Sequence, residues 1–347
     1  MNKLRDLFSK TLVVGVLVLF IGMGINPTIA IDNEKKSNIS ISSGNTLYVG
    51  GTGEGNYTRI QDAIDDASNG DTLYVYDDSS PYYENVFINK SMNLFGEDKD
   101  TTVIDGNKLG NVVKIFRDWV NVSGFTIQNS NEDWFPNFAG INIRANYTTI
   151  SNNIIKNNSI GIAIWRNYDN PRFNHYLHNN QILDNKILSN NVIGIWFSHC
   201  NFSTIINNIV LNNSQCGIHT NFANYNIISG NHIENNKDGI TIYQDSENNE
   251  IIRNNVTNSK HRGIFLIEST NNNISSNNFI KNKWGNAKFI YDIKKRGNKW
   301  NGNYWGDSKE QPHIIFGRLS LWSYSFGFGI IPWINIDLDP AQEPYYI

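Results

Sequence analysis

The stretch of sequence that decides the fold is residues 205–218, which read IINNIVLNNSQCGI. An Asn pair beside aliphatic residues, followed by Gly-Ile, returns along the middle of the chain about every 23 residues. The second Asn of each pair, or the single Asn that replaces the pair after Asp184 and Gly230, lies at Asn153, Asn185, Asn208, Asn231, Asn255 and Asn278. The Gly of each Gly-Ile lies at Gly140, Gly161, Gly194, Gly217, Gly239 and Gly263. A period this regular indicates one structural unit stacked on itself, which is the signature of a solenoid.

The residues around the Gly alternate in polarity. Apolar residues stand one and three places after it, as at Ile162 and Ile164 or at Ile240 and Ile242, whereas places two and four are mixed. This alternation is typical of a strand with one buried face. Because a second short apolar run precedes each Asn pair, each unit holds short strands and tight corners. The pattern predicts an all-β parallel β-helix, with each coil roughly 4.8 Å above the last and in register.

The recurring asparagines have a structural interpretation. Asn tolerates left-handed backbone geometry and bonds its neighbours, so it suits sharp corners. When one corner recurs in every coil, we expect its amides to stack as a ladder in which each satisfies the next, because an unpaired amide in a core of Ile and Val is costly. A leucine-rich repeat shares this period and an Asn ladder, but its Leu-x-x-Leu-x-Leu frame is absent from the sequence.

One unit is longer than the others, since 33 residues separate Gly161 from Gly194. The extra residues fall in Asn167–Asn180. Insertions in solenoids leave the wall as loops on one face, which is often the binding face. We expect a surface loop here, whether a plain excursion or part of a binding site.

The two cysteines, Cys200 and Cys216, are predicted to be free thiols, buried or half-buried. They fall about seven positions apart along a coil, which is roughly 20 Å at the rise of a strand. A disulfide requires Cα atoms within about 7 Å.

The N-terminus predicts export. Basic residues at positions 3, 5 and 10 precede an apolar run over Thr11–Ile25, and Thr28–Ala30 ends in small side chains. This pattern is typical of a secretory signal peptide over residues 1–30 with cleavage near Ala30, and an uncleaved membrane anchor is the alternative. In both cases the rest of the chain lies outside the cytoplasm, secreted or at the cell surface, behind a flexible polar lead-in over residues 31–45.

The charge balance argues against nucleic acid as a partner. The chain carries a formal net charge of −3, and removal of residues 1–30, with three positive charges and one negative, leaves −5. The sequence contains no basic run, whereas nucleic-acid binding rests on clustered Lys and Arg.

Both ends of an open β-helix expose apolar core and strand edges, so both need caps. Thr58 and Gln61 match a capping box, and the apolar residues of Ile60–Ala67 follow at helical spacing, which predicts a short capping helix. With this cap, the β-helix is predicted to span residues 46–297. The aromatic residues 298–347 are predicted to form an irregular closing cap, or a lipid- or partner-contacting tail, because Leu319–Trp333 is strongly apolar.

Several segments resemble a known family. Residues 48–67 read YVGGTGEGNYTRIQDAIDDA, residues 69–75 read NGDTLYV and residues 102–106 read TVIDG. They resemble the N-terminal signature of pectate-lyase-like right-handed β-helix proteins. The Asn-Asn and Gly-Ile coils resemble the NosD-like repeat group, and NYWG at 303–306 is similar to a tail of its archaeal cell-surface members. The resemblance covers nearly all of residues 46–347 and implies a right-handed parallel β-helix of about ten coils. It implies little about activity, because that group includes lyases, hydrolases, epimerases and proteins with no known reaction.

Outward-pointing aromatic residues are predicted to line up across consecutive coils. They stand two or four places after the Gly, at Trp165, Trp196, His219, Tyr243 and Phe265. Such an aromatic strip would be roughly 20 Å long. Because clustered aromatic rings mark binding surfaces and suit the apolar faces of sugars, we expect an extracellular polysaccharide or glycan as the partner. The alternative is that the insertion or the C-terminal segment covers the strip.

A catalytic interpretation remains as the alternative function. A glycosidase needs two carboxylates about 5–10 Å apart, and Asp245 and Glu268 fall on neighbouring coils. Pectate lyases, as the resemblance implies, combine a calcium-binding acidic cluster with a catalytic Arg, for which Arg166 is the candidate. No coils stack several acids here, and solvated surface charge is the plainer explanation of these residues. A polysaccharide lyase or glycoside hydrolase on the same face is therefore the second hypothesis.

The NosD resemblance also implies copper delivery. Copper sites need clustered His, Cys or Met, and His175 and His178 are the only closely spaced pair. We expect no metal site and no cofactor. The sequence as a whole predicts a secreted or cell-surface β-helix that binds or presents carbohydrate at the envelope without catalysis.

Overall fold

The computed structural model describes residues 44–132, 138–165, 176–292, 297–306, 312–320 and 330–347. Within these ranges, no helix is long and apolar enough to cross a membrane. The predicted signal peptide or anchor, and most of the predicted lead-in, lie outside the described residues.

The chain winds into a right-handed parallel β-helix of about ten coils, with three sheets running along it. Equivalent residues of successive coils pair directly: Ile182 pairs with Ile205, and Ile205 with Ile228. The predicted solenoid and its register are confirmed. Three strands in each regular coil also exclude the leucine-rich repeat, whose unit has a single strand followed by a helix or 3₁₀ turn.

The strands of each sheet recur once per coil, and we name the sheets A, B and C in the order in which the chain meets them. Sheet A has eleven strands: Thr46–Val49, Thr72–Val75, Asn93–Gly96, Asn121–Ser123, Thr149–Ser151, Gln181–Leu183, Thr204–Ile206, Ile227–Ser229, Glu250–Ile252, Asn273–Ser275 and Lys299–Asn301. Sheet B has nine: Tyr82–Tyr83, Val103–Asp105, Thr126–Gln128, Ile154–Lys156, Lys186–Leu188, Ile209–Leu211, His232–Glu234, Asn255–Thr257 and Asn278–Ile280. Sheet C has eleven: Val86–Ile88, Val113–Ile115, Ala139–Ile143, Ile160–Trp165, Ile193–Ser198, Cys216–Asn221, Asp238–Tyr243, Arg262–Ile267, Gly285–Asp292, His313–Ser320 and Ile330–Asp337.

The core is a set of aliphatic columns. The central residue of each short strand points inward, as Ile205 does in sheet A and Val210 in sheet B, and both are fully buried. In sheet C the residues one and three places after the Gly, such as Ile240 and Ile242, are also fully buried. Each such side chain contributes about 1.5–3 kcal/mol on burial, so the alternation seen in the sequence supplies the main driving force for the fold.

The three corners of the β-helix are built alike. At each corner a residue with positive φ makes the turn, and in most of the regular coils the next residue is a buried Asn that bonds to its counterpart on the following coil. At the A–B corner, Asn207 has φ of 56°, and the Asn208 side-chain nitrogen donates to the Asn231 side-chain oxygen at 3.0 Å. The predicted amide ladder is confirmed. The structure adds that every corner has one.

The members of the A–B ladder are Asn153, Asn185, Asn208, Asn231, Asn254, Asn277 and Asn303. The B–C ladder includes Asn158, Asn190, Asn213 and Asn236. The C–A ladder includes Asn226, Asn249, Asn272 and Asn298.

Two ladder assignments made from the sequence, Asn255 and Asn278, are wrong by one residue. Arg253 and Ser276 take the positive-φ turn position in those coils, so the first Asn of each pair, not the second, follows the turn. Asn255 begins a sheet B strand and bonds His232. The ladder residue always lies three places after the buried sheet A residue, as Asn254 does after Ile251, and this spacing identifies it more reliably than the Asn pair.

The N-terminal cap is a helix, α1 (Ile60–Asp66), whose apolar side is buried against the first coils. The prediction of the helix is confirmed, but the capping box is wrong: the N-cap is Arg59, and it makes no side-chain cap bond. Instead the Glu84 carboxylate accepts from the backbone N–H groups of Ile60 at 2.8 Å and Gln61 at 3.0 Å. A carboxylate from the next coil thus satisfies the helix N-terminus.

The C-terminal segment is more regular than predicted. Lys299–Asn301 continues sheet A, and two eight-residue strands, His313–Ser320 and Ile330–Asp337, extend sheet C as an antiparallel pair. Asp337, fully buried, accepts from the Asn303 backbone and side-chain nitrogens at 2.9 and 3.0 Å. This carboxylate ends the A–B ladder, so the segment does act as a cap.

Part of the predicted insertion pairs with the following coil. Leu177–His178 pairs with Cys200–Asn201 as a small separate sheet, and residues 167–175 of the insertion lie outside the described residues.

The two cysteines are free thiols, as predicted. Cys200 and Cys216 are both buried. Burial raises the pKa of each thiol to about 12, so both are protonated and inert at neutral pH.

Candidate functional site

The outer face of sheet C carries the predicted aromatic strip. The pairing places Trp196 beside His219, and His219 beside Thr241, which lies beside Phe265. In the neighbouring row, Trp165 heads a file that reaches Tyr243 three coils later. Sheet C has the longest strands of the β-helix, which leaves room for two outward rows side by side.

The rings of the strip contact one another from coil to coil. Ring centres lie 5.0 Å apart for Trp165 and Trp196, 6.1 Å for Trp196 and His219, and 5.9 Å for His219 and Tyr243. The first two pairs are edge-to-face. Phe265 contacts the Arg262 guanidinium, whose carbon lies 3.8 Å from the ring centre. The residues predicted from the sequence to form an aromatic strip therefore do lie on one surface.

The strip is half-buried rather than fully exposed, and its polar atoms are poorly satisfied. The indole nitrogens of Trp165 and Trp196 are buried without a hydrogen-bond partner, as are the Asn142 side-chain nitrogen and the Asn221 side-chain oxygen. All four belong to the outward rows of sheet C in consecutive coils. Buried polar atoms are normally paired, so four such atoms on one face mark it as unusual.

A cleft of about 300 Å³ lies beside the strip, between His219, Tyr243 and Phe265 on one side and the Asp238–Arg262 pair on the other. Arg262 donates to the Asp238 carboxylate through two nitrogens, at 2.8 and 3.0 Å. The His219 side chain is half-buried. The loss of hydration lowers the pKa of its imidazole to about 4. At neutral pH the cleft therefore presents a neutral imidazole, one phenol and a fixed ion pair.

A second cleft of about 760 Å³, here called the C-terminal cleft, opens at the end of the same face. Its lining includes Arg262, Phe265, Trp284, Lys288, Arg318 and Trp333. Phe265 and Arg262 line both clefts, so the two clefts are neighbours along sheet C.

The other end of the face is also aromatic and cationic. The Phe87 and Phe116 rings contact each other at a tilt of 57°, with ring centres 5.4 Å apart. The Lys114 ammonium lies 4.8 Å from the Phe116 ring centre, and the Arg144 guanidinium lies between Phe116 at 5.4 Å and Trp165 at 6.0 Å. Arg144 thus connects this end to the strip.

The predicted catalytic carboxylates lie next to each other at the edge of the face. The Asp245 backbone nitrogen donates to the Glu268 carbonyl at 3.1 Å, which places the two residues on adjacent coils as expected. Asp245 is exposed and Glu268 half-buried, and each interacts with further groups. Arg166, the third candidate, lies outside the described residues.

The described residues do not fit a copper site. None of their His, Cys, Asp and Glu side chains form a group of three or more suited to a metal ion. Met92 is in the core, and the two thiols are held protonated by burial. Of the predicted pair, His178 bonds Asn179 at 3.1 Å and packs its edge on Tyr147, whereas His175 lies outside the described residues.

A second aromatic surface was missed by the sequence reasoning. At the C–A corner the positive-φ position is aromatic in four coils, at Trp119, Tyr147, Phe202 and Tyr225; we call these residues the corner column. Trp119 and Tyr147 stack at 4.1 Å, and Phe202 and Tyr225 at 5.2 Å. The signal in the sequence is an aromatic residue two places before the first residue of the sheet A strand in these four coils.

The fold defines the class: the chain is a right-handed parallel β-helix, and its architecture resembles that of pectate lyases. A family model described as periplasmic copper-binding protein (NosD) matches residues 173–310. A second, described as a protein of unknown function (DUF1565), matches residues 86–225. Among curated proteins, no sequence matches.

Several solved structures share the fold. XylC in complex with xylose aligns with 12% identity over 80% of this chain and 71% of that chain, with a TM-score of 0.58. The Azotobacter vinelandii mannuronan C-5 epimerase AlgE6 A-module aligns with 15% identity over 70% of each chain, with a TM-score of 0.55. Pectate lyase Pel9A aligns with 12% identity over 78% of this chain and 82% of that chain, with a TM-score of 0.54. At these identities the similarity is one of fold.

Proposed function

We propose that the outer face of sheet C binds an extended polysaccharide outside the cytoplasm and presents it without catalysis. The observation that carries the proposal is the aromatic strip with its unpaired indole N–H groups at Trp165 and Trp196. A sugar ring has an apolar face that packs on aromatic rings and hydroxyl oxygens that accept hydrogen bonds. The ring surface matches the first property, and the Arg262 guanidinium beside the strip is a donor for the second.

The dimensions of the face favour a polymer over a single sugar. The strip runs across five coils, which at the interstrand spacing is roughly 20 Å, and the C-terminal cleft continues it. The similar folds support a carbohydrate ligand, since one is a complex with xylose and the others are named an epimerase of mannuronan and a pectate lyase. A location outside the cytoplasm is supported by the predicted signal segment and by the periplasmic description of the matching family model.

Catalysis on this face is the second candidate, and the adjacency of Asp245 and Glu268 favours it. Against it, Asp245 is exposed, whereas the general acid of a glycosidase works in a dry pocket. Incubating the protein with neutral and acidic polysaccharides and measuring new reducing ends or unsaturated products tests this candidate. Turnover that Asp245→Asn or Glu268→Gln abolishes would replace the binding proposal with an enzyme.

The binding proposal is tested with a glycan array followed by calorimetry on the best ligand. Trp196→Ala removes the centre of the strip and its indole N–H, so we expect affinity to fall at least tenfold, about 1.4 kcal/mol. Trp119→Ala, at an aromatic residue on the corner column, is the matched control and should leave affinity unchanged. If no glycan binds, or if Trp196→Ala binds as tightly as the wild type, the proposal fails.

A further inference from the structure

The C-terminal cleft lies along the last strands of sheet C, where two strands pair over only half of their length. The strand Gly285–Asp292 pairs with His313–Ser320 only where Phe289–Asp292 meets Gly317–Ser320. The cleft is lined by Lys288 and Phe316 from the unpaired halves and by Ile290 and Arg318, which pair with each other in the paired halves. The cleft is thus part of the sheet architecture and not a gap between surface loops.

Three cationic side chains line this cleft, and no acidic residue lines it among the residues described. Arg262 is neutralised by Asp238, a pair in which both side chains are mostly buried. Lys288 and Arg318 form no ion pair with any described residue. Within the part of the chain that the structure describes, these two cations of the cleft therefore have no anionic partner.

Solvated surface charge is the plain alternative for any Lys or Arg, but the placement argues against it here. Like charges facing one cleft repel one another, and Lys288 is half-buried in it, whereas Arg318 is exposed. The fold gains no compensating ion pair from Lys288 or Arg318. An anion bound between them would relieve the repulsion, and a guanidinium is well suited to a planar carboxylate or to a sulfate.

The remaining lining indicates that the anion belongs to a sugar. Phe265 is the last ring of the strip and also lines the cleft. Trp284 and Trp333, whose side chains are 57% and 52% exposed, offer further ring surface there. A chain of sugars lying on the strip would reach the cationic cleft without leaving aromatic contact.

We infer that the C-terminal cleft is an anion subsite, which takes a carboxylate- or sulfate-bearing sugar of the polysaccharide bound along sheet C. This inference rests on the proposed function of the face and specifies its ligand as an acidic polysaccharide. Lys288 and Arg318 supply the charge, and Arg262, fixed by Asp238 and stacked on Phe265, supplies a rigid wall.

Binding to matched pairs of polymers tests the inference. Oligogalacturonate and its neutral methyl ester differ only in the carboxylate, and dextran sulfate and dextran differ only in the sulfate ester. At low salt we expect the full chain to bind at least one anionic member at least tenfold more tightly than its neutral counterpart, and the difference should shrink as salt is added. The carboxylate and sulfate arms show which anion the cleft takes.

Variants of the cleft test whether Lys288 and Arg318 cause the preference for the anionic polymer. The double variant Lys288→Gln/Arg318→Gln should lose the preference for the anionic member while keeping binding to the neutral one. Lys186→Gln/Lys299→Gln removes two exposed cations from sheets B and A and should keep the preference. Thermal unfolding of each variant establishes that the fold is intact, and Lys288→Arg should retain the preference.

The outcomes separate the two proposals. Equal binding of anionic and neutral members, or an equal loss in the control variant, overturns the anion subsite and leaves the glycan face standing. Failure of every polymer to bind removes the glycan face as well.

Discussion

The corner ladders and the outer face of sheet C treat polar side chains in opposite ways. In the ladder, Asn208 accepts two hydrogen bonds from Asn185, at 3.0 and 3.1 Å, and its own amide donates to Asn231 and to the Ile182 and Ile206 carbonyls. On the sheet C face, the buried indole nitrogens of Trp165 and Trp196 have no partner.

This difference distinguishes polar side chains that stabilise the fold from polar side chains that are available for a ligand. Burying an unpaired polar atom costs about 1–3 kcal/mol. The Asn side chains of the ladders avoid that cost, although the Ser259 hydroxyl at the B–C corner does not. The face accepts it in four consecutive coils. The polar atoms of the corners therefore serve the fold, whereas those of the face are better explained by a ligand. Three predictions test this contrast, from the largest expected effect to the smallest.

The largest effect is expected from breaking a ladder. Asn254→Leu leaves the Asn231 backbone N–H and the Ile228 carbonyl without their present partners, and interrupts the amide stack toward Asn277. With several buried groups orphaned at once, we expect a loss of about 3–5 kcal/mol in the free energy of unfolding, measured by denaturant titration.

Asn255→Leu is the matched control for that substitution. The adjacent Asn255 side chain is half-buried on sheet B and bonds only His232 in the described structure, so we expect a loss below about 1 kcal/mol. Equal losses for the two variants would contradict the ladder register, and a larger loss for Asn255→Leu would restore the register predicted from the Asn pairs.

A smaller effect is expected from the pH dependence of His219. Burial lowers the pKa of this imidazole to about 4 from its usual 6.5, so the unfolded chain takes up the proton first as pH falls. Its contribution to stability is complete above about pH 6.5 and is lost as pH falls through 4, by about 3 kcal/mol. We expect the wild type to lose this much more unfolding free energy than His219→Phe between pH 7 and pH 4.

Identical pH profiles for the wild type and His219→Phe would show that the ring is better solvated than the structure indicates. That result would also weaken the account of sheet C as a partly dehydrated face.

The smallest effect is expected from an unpaired hydroxyl inside the core. Thr220 is fully buried between coils, and its hydroxyl has no hydrogen-bond partner. Thr220→Val removes this cost at nearly constant volume and should raise the free energy of unfolding by about 1 kcal/mol. Ser203 is the control, because its hydroxyl accepts from the Asn180 backbone at 2.9 Å within the C–A ladder.

Ser203→Ala should therefore lower stability by about 1–2 kcal/mol, a change opposite in sign to that of Thr220→Val. Changes of the same sign would show that hydrogen-bond satisfaction is not what distinguishes the two positions.

Much of the site was predictable from the sequence because it repeats. The alternation around Gly194 and Gly217 placed Trp196 beside His219, and the pairing agrees. The corner column was not predicted, since a positive-φ aromatic residue such as Phe202 contradicts the usual preference for Asn or Gly at such turns. Glu84 as the cap of α1 was also missed, because its contact with Ile60 spans 24 residues and follows no local motif.

The period of about 23 residues, the inward Ile and Val, and the Asn at each corner are local patterns, and by themselves they determined a stacked parallel β-helix and its outward rows. The tertiary structure alone decided which Asn of each pair enters the ladder and where the closing strands add a further cation to the cleft. The physical reason is distance along the chain. Each coil repeats its neighbour, so the pairing that brings Lys288 near Arg262 can be read from spacing, whereas Arg318 joins them only because the closing strand departs from that repeat.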